Sequence, residues 1–259
     1  MKLKDITNII EKWSPLEQAE TFDNVGLLVG NANSNVEKAL ITIDTTEDVV
    51  DEAIKNQCDL IITFHPIIFA ELKQVTENTY VERVVKKAIK NNINIYAVHT
   101  NLDNNPKGVS YKISERLSLK NTSILLKKDN KDIGMGMIGD LNTELNEFEF
   151  FEFLKHKMNV KHIKHSPFLG KKIKKIAVLG GSGSFAINEA INQKADCYVT
   201  SDLKYHDYFK AEKKILLADI GHYESEHFTK QLILDFFIKK IPKFACIISK
   251  TNTNPVNYF

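Results

Sequence analysis

An imidazole and a carboxylate stand four residues apart near the C-terminal end of the chain. An apolar run at 215–218 ends in Asp219, Ile220 and Gly221, after which come His222 and Glu226. A helix that begins at the glycine would place His222 and Glu226 on one face, since residues four apart are neighbours on a helix. The spacing predicts a metal-binding corner between a strand and a helix.

Other candidate ligands follow apolar runs in the first half of the chain. His65 comes after one such run, and His99 and Asp103 come after the run 95–98. A single histidine in such a place is more often structural, because it can bond a backbone carbonyl. Several strand ends with the same donor types favour a site for zinc, manganese or iron(II), in which a carboxylate such as Glu226 can bridge two ions.

Apolar runs alternate with helical patterns in both halves of the chain, and these elements must position the candidates. The patterns predict strands at 39–43, 60–63, 95–98, 175–179, 197–200, 215–218 and 244–248, with helices at 47–56, 80–91, 185–193 and from 221 to about 240. Buried strands alternating with helices indicate a parallel sheet covered on both faces. We therefore expect two similar α/β lobes with mostly parallel sheets and ligands beyond the carboxyl ends of the strands.

The pattern of elements also suggests a division of the chain. Residues 1–120 are expected to form the first α/β lobe and residues 171–259 the second. Between them, residues 121–170 are expected to form a connecting α+β segment, which is too short and too apolar to be a flexible linker.

A glycine run in the second half leaves two interpretations open. Gly181, Ser182 and Gly183 follow a predicted strand, where their amides, together with Lys204, could contact phosphate. The run is neither a Walker A motif nor a complete G-x-G-x-x-G, and a tight structural turn explains it equally well.

Asp202 and His206 lie four residues apart close to this run. They could support a metal ligand or contact a substrate. A helix cap at Asp202 is an equally good explanation.

Composition excludes several classes of function. The chain has 35 basic and 33 acidic residues among 259, so no net field favours nucleic acid. Its 3 cysteines form no C-x-x-C pair, which argues against a disulfide framework and a structural zinc site. No run approaches the roughly 20 apolar residues that span a bilayer. These features predict a cytoplasmic protein with neither a membrane nor a nucleic-acid partner.

Six short strings, taken together, resemble the Nif-three-like dinuclear metal-centre family, whose members are often labelled GTP cyclohydrolase 1 type 2 homologues. They lie at 22–27, 65–69, 99–103, 180–183, 201–206 and 219–226. The resemblance implies that the two lobes face each other across a metal-binding cleft and that the chain forms a ring-shaped homohexamer. It also implies one or two divalent ions per chain (Zn, Mn or Fe), with His65, Asp103, His222 and Glu226 as ligands. Because the passage 125–135 is short, the additional domain that some members insert between the lobes is expected to be absent.

The chain departs from the family at one ligand. The family's usual string has two adjacent histidines before the proline, whereas this chain has Phe64 and His65. A phenyl ring cannot coordinate a cation, so weaker or single-metal occupancy is expected unless water, substrate or His99 fills the position.

Two functional hypotheses follow from the resemblance and its exception. The first is a metal-dependent hydrolase of a nucleotide or similar phosphorylated small molecule, in which His99 or His206 transfers protons. The second is a non-enzymatic metal-binding or regulatory oligomer with a degenerate site, which is motivated by Phe64.

Overall fold

The structure is a computed structural model that describes residues 1–128 and 132–259. The strands are β1 (Gly26–Val29), β2 (Lys38–Thr42), β3 (Leu60–Thr63), β4 (Asn94–Ala97), β5 (Lys120–Lys127), β6 (Gly134–Asn146), β7 (Lys164–His165), β8 (Lys172–Ser182), β9 (Cys197–Ser201), β10 (Leu216–Asp219) and β11 (Ala245–Ile248). The α-helices are α1 (Leu3–Trp13), α2 (Glu47–Lys55), α3 (Tyr80–Lys90), α4 (Thr100–Asp103), α5 (Val109–Arg116), α6 (Glu147–Met158), α7 (Ile187–Asn192), α8 (His222–Glu226) and α9 (Thr229–Lys240). Short 3-10 helices occur at Leu16–Gln18, Ser184–Ala186 and Tyr205–Ala211. Among the described residues, no helix has the length and apolar character that crossing a bilayer requires.

The chain divides into two compact units. Unit 1 comprises Met1–Leu102 together with Thr229–Phe259, and unit 2 comprises Asp103–Phe228. This division by contacts differs from the three segments expected from the sequence, because the C-terminal residues belong to unit 1. The sequence also predicts that no additional domain is inserted in the passage 125–135. Residues 129–131 of this passage lie outside the described residues.

Unit 1 contains a five-stranded sheet in the order β1-β4-β3-β2-β11. Strands β4, β3, β2 and β11 are parallel, and β1 joins the edge as an antiparallel strand. The register aligns Thr42 with Thr63 and Thr63 with Ala97, so β2, β3 and β4 end at the same level. Helices α2 and α3 cover one face, where Val49, Val84 and other apolar side chains form a buried cluster.

The last strand of the chain pairs in unit 1, where Cys246 aligns with Ala39. Its expected place was the second lobe. Helix α9 precedes this strand in unit 1, and the ring of Phe236 stacks on Trp13 with 4.2 Å between centroids. An apolar run predicts that a strand is buried but does not say which sheet edge it joins, and here packing of the preceding helix decides.

Unit 2 contains a six-stranded sheet in the order β5-β6-β8-β9-β10-β7. Strands β8, β9 and β10 are parallel, whereas the remaining pairings are antiparallel. Alternate residues of β8 enter two different apolar clusters: Ile176 and Val178 lie in one, Ala177 and Leu179 in the other. Both faces of this sheet are therefore covered, and burial of each large apolar side chain contributes about 1.5–3 kcal/mol.

Strands β5, β6 and β7 lie almost entirely in residues 121–170, which were expected to form a connecting segment. In the structure they extend the sheet of unit 2 on both sides of its parallel centre. The expectation of an α/β fold with two sheets is confirmed, and the sheet of unit 2 is mixed.

Candidate functional site

In unit 1, three polar residues occupy equivalent positions beyond the ends of parallel strands. Asp44, His65 and His99 each lie two residues after the aligned ends of β2, β3 and β4. Because the carboxyl ends of parallel strands meet at one edge, this register gathers the three side chains. The rings of His65 and His99 lie 5.4 Å apart between centroids and are nearly perpendicular.

Each of these histidines is oriented by a carboxylate. His65 Nδ1 lies 2.7 Å from Asp44 Oδ1, and His99 Nδ1 lies 2.8 Å from Asp23 Oδ1. A carboxylate at Nδ1 holds the proton there and makes Nε2 the nitrogen suited to accept a proton or bind a metal. The carboxylates are held in turn: Asp44 Oδ2 accepts a hydrogen bond from the Thr253 hydroxyl.

Asp23 is the more strongly fixed of the two carboxylates. Its side chain is buried, and Oδ2 accepts hydrogen bonds from the amide and hydroxyl of Thr100. Burial alone would raise the pKa of Asp23. The hydrogen bonds from His99 and Thr100 and the charge of His99 together outweigh burial and lower this pKa to about 2.

We predict that Asp23→Asn lowers the free energy of unfolding by about 2 kcal/mol at neutral pH. The pKa of Asp23 is depressed in the folded protein, so its contribution is present above the unfolded value of 3.8 and is lost as the pH falls through about 2. Urea titrations between pH 2 and pH 7 measure the difference between the two proteins. A difference that does not shrink below pH 4 would contradict the ionised role of Asp23.

Phe64 is an apolar neighbour of the imidazole rings of His65 and His99. Its side chain is 0% exposed, and its ring centroid is 5.0 Å from that of His65 and 5.4 Å from that of His99. The aromatic ring fills the core at this position and offers no ligand atom.

In unit 2, His222 and Glu226 lie on one turn of a helix, as the sequence predicted. Strand β10 ends at Asp219, and α8 begins at His222 directly after Gly221. His222 Nε2 lies 3.1 Å from Glu226 Oε2, and the Glu226 side chain is buried.

Asp202 orients His222 in the same manner as the carboxylates of unit 1. Its Oδ2 atom lies 2.6 Å from His222 Nδ1 and accepts a hydrogen bond from the Ser182 hydroxyl. The 3-10 helix that follows has Lys204 at its N-cap position. Of the explanations left open for Asp202, support of a metal-ligand candidate therefore fits the structure, and a helix cap does not.

The two carboxylates around His222 favour its charged form. Burial lowers the pKa of His222, but hydrogen bonds to Asp202 and Glu226 and their negative charges raise it overall to about 11. The hydrogen bond from His222 in turn lowers the pKa of Asp202 to about 2. A cation that binds His222 must therefore displace a proton.

The glycine run lies at the end of strand β8: Gly181 and Ser182 are the last two residues of the strand, and Gly183 follows it. The amide of Gly181 donates to Ser225 Oγ at 2.9 Å, and the amide of Gly183 donates to the carbonyl of Ser201 at 3.4 Å. Gly181 has φ +69°, and a Cβ there would lie 2.3 Å from Glu226 Oε1. This geometry favours the structural explanation of the run, because two of its amides are engaged within the protein and Gly181 admits the Glu226 carboxylate.

The remaining predicted residues lie in two different settings. Asp103 is the last residue of α4. His206 and Lys204 are exposed, and the His206 ring packs beside Tyr205 and Phe209. Sequence reasoning missed that Asp23 is the partner of His99, although Asp23 belongs to one of the strings that carried the resemblance.

Comparison with known proteins places the chain in a family. The model of the Duf34/NIF3 family (NGG1p interacting factor 3) matches residues 1–255. A GTP cyclohydrolase 1 type 2 homolog of Clostridium acetobutylicum is 36% identical over 231 residues, and the match covers 87% of this chain and 85% of that protein.

Solved structures show the same relationship. The crystal structure of the Staphylococcus aureus hypothetical protein SA1388 has a TM-score of 0.92 at 30% identity and covers 100% of this chain and 99% of that one. A Bacillus cereus protein related to NIF3 has a TM-score of 0.91 at 25% identity, with 99% of each chain covered.

Proposed function

The chain belongs to the Duf34/NIF3 family, and on that premise we propose that it binds divalent metal ions through His65, Asp103, His222 and Glu226. One observation carries the proposal: the two histidines of this set each have a carboxylate at Nδ1, at 2.7 Å and 2.6 Å. Metal-binding histidines almost always donate their other ring N–H to a carboxylate, a backbone carbonyl or a water, because this bond fixes the tautomer and directs Nε2 to the ion.

The chemistry of the donor set fits zinc, manganese or iron(II). Two imidazoles with carboxylate oxygens suit these ions better than calcium or magnesium, which prefer oxygen ligands alone. Phe64 supplies no ligand where the family usually has histidine. We therefore propose about one tightly bound ion per chain rather than two.

We further propose that the protein hydrolyses a nucleotide or another phosphorylated small molecule. A bound divalent ion would supply an activated water and polarise the substrate. His99 is suited to accept a proton at Nε2, because Asp23 remains ionised and stabilises the resulting imidazolium. Exposed Lys204 remains a candidate for phosphate contact, whereas the Ser182 hydroxyl donates its hydrogen to Asp202. Exposed His206 remains a second candidate for proton transfer.

The test of this activity uses the full-length protein with its metal content confirmed. We expect turnover of at least one compound in a panel of GTP, other nucleotides and phosphoesters. Turnover should be lost in His99→Ala, whereas metal content should be retained. A fully loaded protein that leaves the whole panel unchanged would contradict a hydrolase.

A non-enzymatic metal-binding or regulatory oligomer is the second candidate, and the burial of Phe64 favours it. A ring that is 0% exposed beside His65 belongs to the core and excludes a ligand from that position. Strong hydrolysis by the native protein would contradict this alternative.

We also propose that the chain assembles with itself as a homohexamer, as the family resemblance implies. Light scattering coupled to size-exclusion chromatography gives the mass of the assembly, which should be about six times the chain mass of 29.5 kDa. A monomeric mass at micromolar concentration would contradict the proposal.

The orientation of His222 by Asp202 leads to a specific prediction. Asp202→Asn keeps the size of the side chain but removes its charge, so metal affinity should fall about 10- to 100-fold. Competition with a chromogenic chelator measures this change. Asp207→Asn is the matched control, because Asp207 contacts Lys210 and the backbone of Lys204 instead. Equal affinities in the two variants would contradict the role of Asp202.

A further inference from the structure

Unit 2 contains a cavity that none of the proposed metal ligands lines. Its volume is about 680 Å³, and its walls are the loop 166–171 and the 3-10 helix Tyr205–Ala211 with the two residues after it. The side chains that matter for its chemistry are Phe168, Lys171, Tyr205, Tyr208, Phe209 and Lys213.

The walls of the cavity present aromatic rings to solvent. Tyr205 is 73% exposed and Phe209 is 65% exposed, and their ring centroids lie 5.5 Å apart. Phe168 lies in the loop 166–171, which forms the other wall, and its ring stacks against that of His165. Large exposed rings that line a concave site favour a planar apolar group, because each ring offers a face on which such a group can stack.

The charged residues of the cavity leave a positive balance. Glu212 lines the cavity but forms an ion pair with Lys214, which does not line it. The negative charge of Glu212 is therefore neutralised by a residue outside the cavity. Among the described residues, no ion pair involves Lys171 or Lys213. Glu212 and Lys213 both adopt left-handed backbone conformations, with φ of 45° and 56°. Two cations at an aromatic site favour an anionic ligand.

Tyr208 adds an aromatic ring to the wall of the cavity. Its hydroxyl is buried and has no hydrogen-bond partner among the described residues. Burial, together with the negative charges of Asp219 and Asp207, raises the pKa of Tyr208, so the hydroxyl keeps its proton. Because the hydroxyl does not reach the cavity surface, the ring is the part of Tyr208 that a ligand contacts.

We propose that this cavity binds a planar aromatic compound that carries a phosphate group, such as a nucleoside monophosphate. The aromatic ring stacks among Phe168, Tyr205 and Phe209, and the phosphate contacts Lys171 and Lys213. The site is distinct from the proposed metal ligands, and its occupation does not require a metal ion.

Calorimetric titration of the full-length protein tests the proposal with AMP, GMP and phenyl phosphate as probes. Adenosine and inorganic phosphate separate the contributions of ring and phosphate. We expect measurable binding of at least one phosphorylated aromatic probe, with weaker binding of adenosine and of inorganic phosphate. The affinity should be unchanged by treatment with EDTA and by His222→Ala.

Three variants locate the binding. Phe209→Ala should weaken it about tenfold, since stacking on one ring is worth about 1–3 kcal/mol. Replacement of Lys171 and Lys213 together by alanine should weaken phosphorylated probes but not adenosine. Tyr208→Phe, which changes only the buried hydroxyl and keeps the ring, should leave the affinity unchanged.

Matched controls come from elsewhere in unit 2. Phe185→Ala removes an exposed aromatic ring, 59% exposed, that does not line the cavity, and Lys161→Ala removes an exposed cation. Neither should change the affinity.

Absence of binding by all three probes would overturn the proposal, and so would equal affinities in the cavity and control variants. Loss of binding on metal removal would also overturn it, whereas metal content measured separately tests the proposed metal site.

Discussion

Gly181→Ala is expected to lower the free energy of unfolding by about 2–4 kcal/mol and to weaken metal binding. Gly181 has φ +69°, a conformation that costs an alanine about 1–2 kcal/mol. The added Cβ would also lie 2.3 Å from Glu226 Oε1 and 3.4 Å from His222 Nε2. Glu226 is only 3% exposed, so its carboxylate cannot move away without displacing packed neighbours.

Gly170→Ala separates the two causes of this loss. Gly170 has nearly the same φ, +68°, but a Cβ there meets nothing within 4 Å. This control should therefore lose only the conformational cost of about 1–2 kcal/mol and keep its metal affinity. Chemical denaturation and a chelator competition on both variants measure the two effects. If Gly181→Ala behaves like Gly170→Ala in both assays, the close approach of Glu226 to strand β8 contributes neither to stability nor to metal binding.

Phe64→His is expected to raise the amount of bound metal toward about two ions per chain while lowering stability. The new imidazole would restore the ligand that the family's usual string contains. It would also place a polar ring where Phe64 is fully buried against His65 and His99, at a cost of about 1–3 kcal/mol unless metal binds. Added zinc or manganese should therefore stabilise this variant more than the native protein.

Phe64→Leu is the matched control for this substitution. Leucine also disturbs packing at position 64 but adds no ligand, so stability should fall by about 1–3 kcal/mol and the metal content should not rise. Thermal unfolding with and without added metal, together with elemental analysis, compares the variants. A histidine variant that binds no more metal than the leucine variant would contradict the assignment of position 64 as a lost ligand position.

The elements that carry the candidate residues could be predicted from local patterns. The run 60–63 is strand β3 as expected, and α8 begins at His222, so the pairing of His222 with Glu226 followed from helical spacing alone. These predictions succeeded because apolar runs and glycine-bounded turns are determined over a few neighbouring residues.

The relations between distant segments could not be predicted in the same way. Residues 229–259 return to unit 1, and Thr253 there donates a hydrogen bond to Asp44, more than 200 residues earlier in the chain. Such pairing depends on which sheet edge and helix face remain to be covered, which no local pattern contains. The glycine run illustrates a second limit, because the strand around it continues through Ser182. The sequence left a phosphate loop and a tight structural turn as equal alternatives, and the structure favours the second, because side-chain and backbone acceptors engage the amides of Gly181 and Gly183.

The carboxylate partners of the histidines show what tertiary structure adds to a site. Asp23 and His99 are 76 residues apart, and Asp202 and His222 are 20 apart. No spacing rule connects them. The register of parallel strands gathers Asp44 and His65, and turns after the strands supply Asp202. A sequence can therefore indicate the candidate ligands, but the groups that orient them emerge only when the strands are aligned.

Metal analysis of the purified full-length protein, by elemental mass spectrometry alongside Glu226→Gln, is the most direct test of the central claim. We expect about one divalent transition-metal ion per native chain after dialysis against trace metal, and substantially less in Glu226→Gln. The control Glu224→Gln, an acidic neighbour on the same helix, should retain the native amount. A native protein that binds no metal, or a Glu226→Gln variant that binds as much as the native chain, would contradict it.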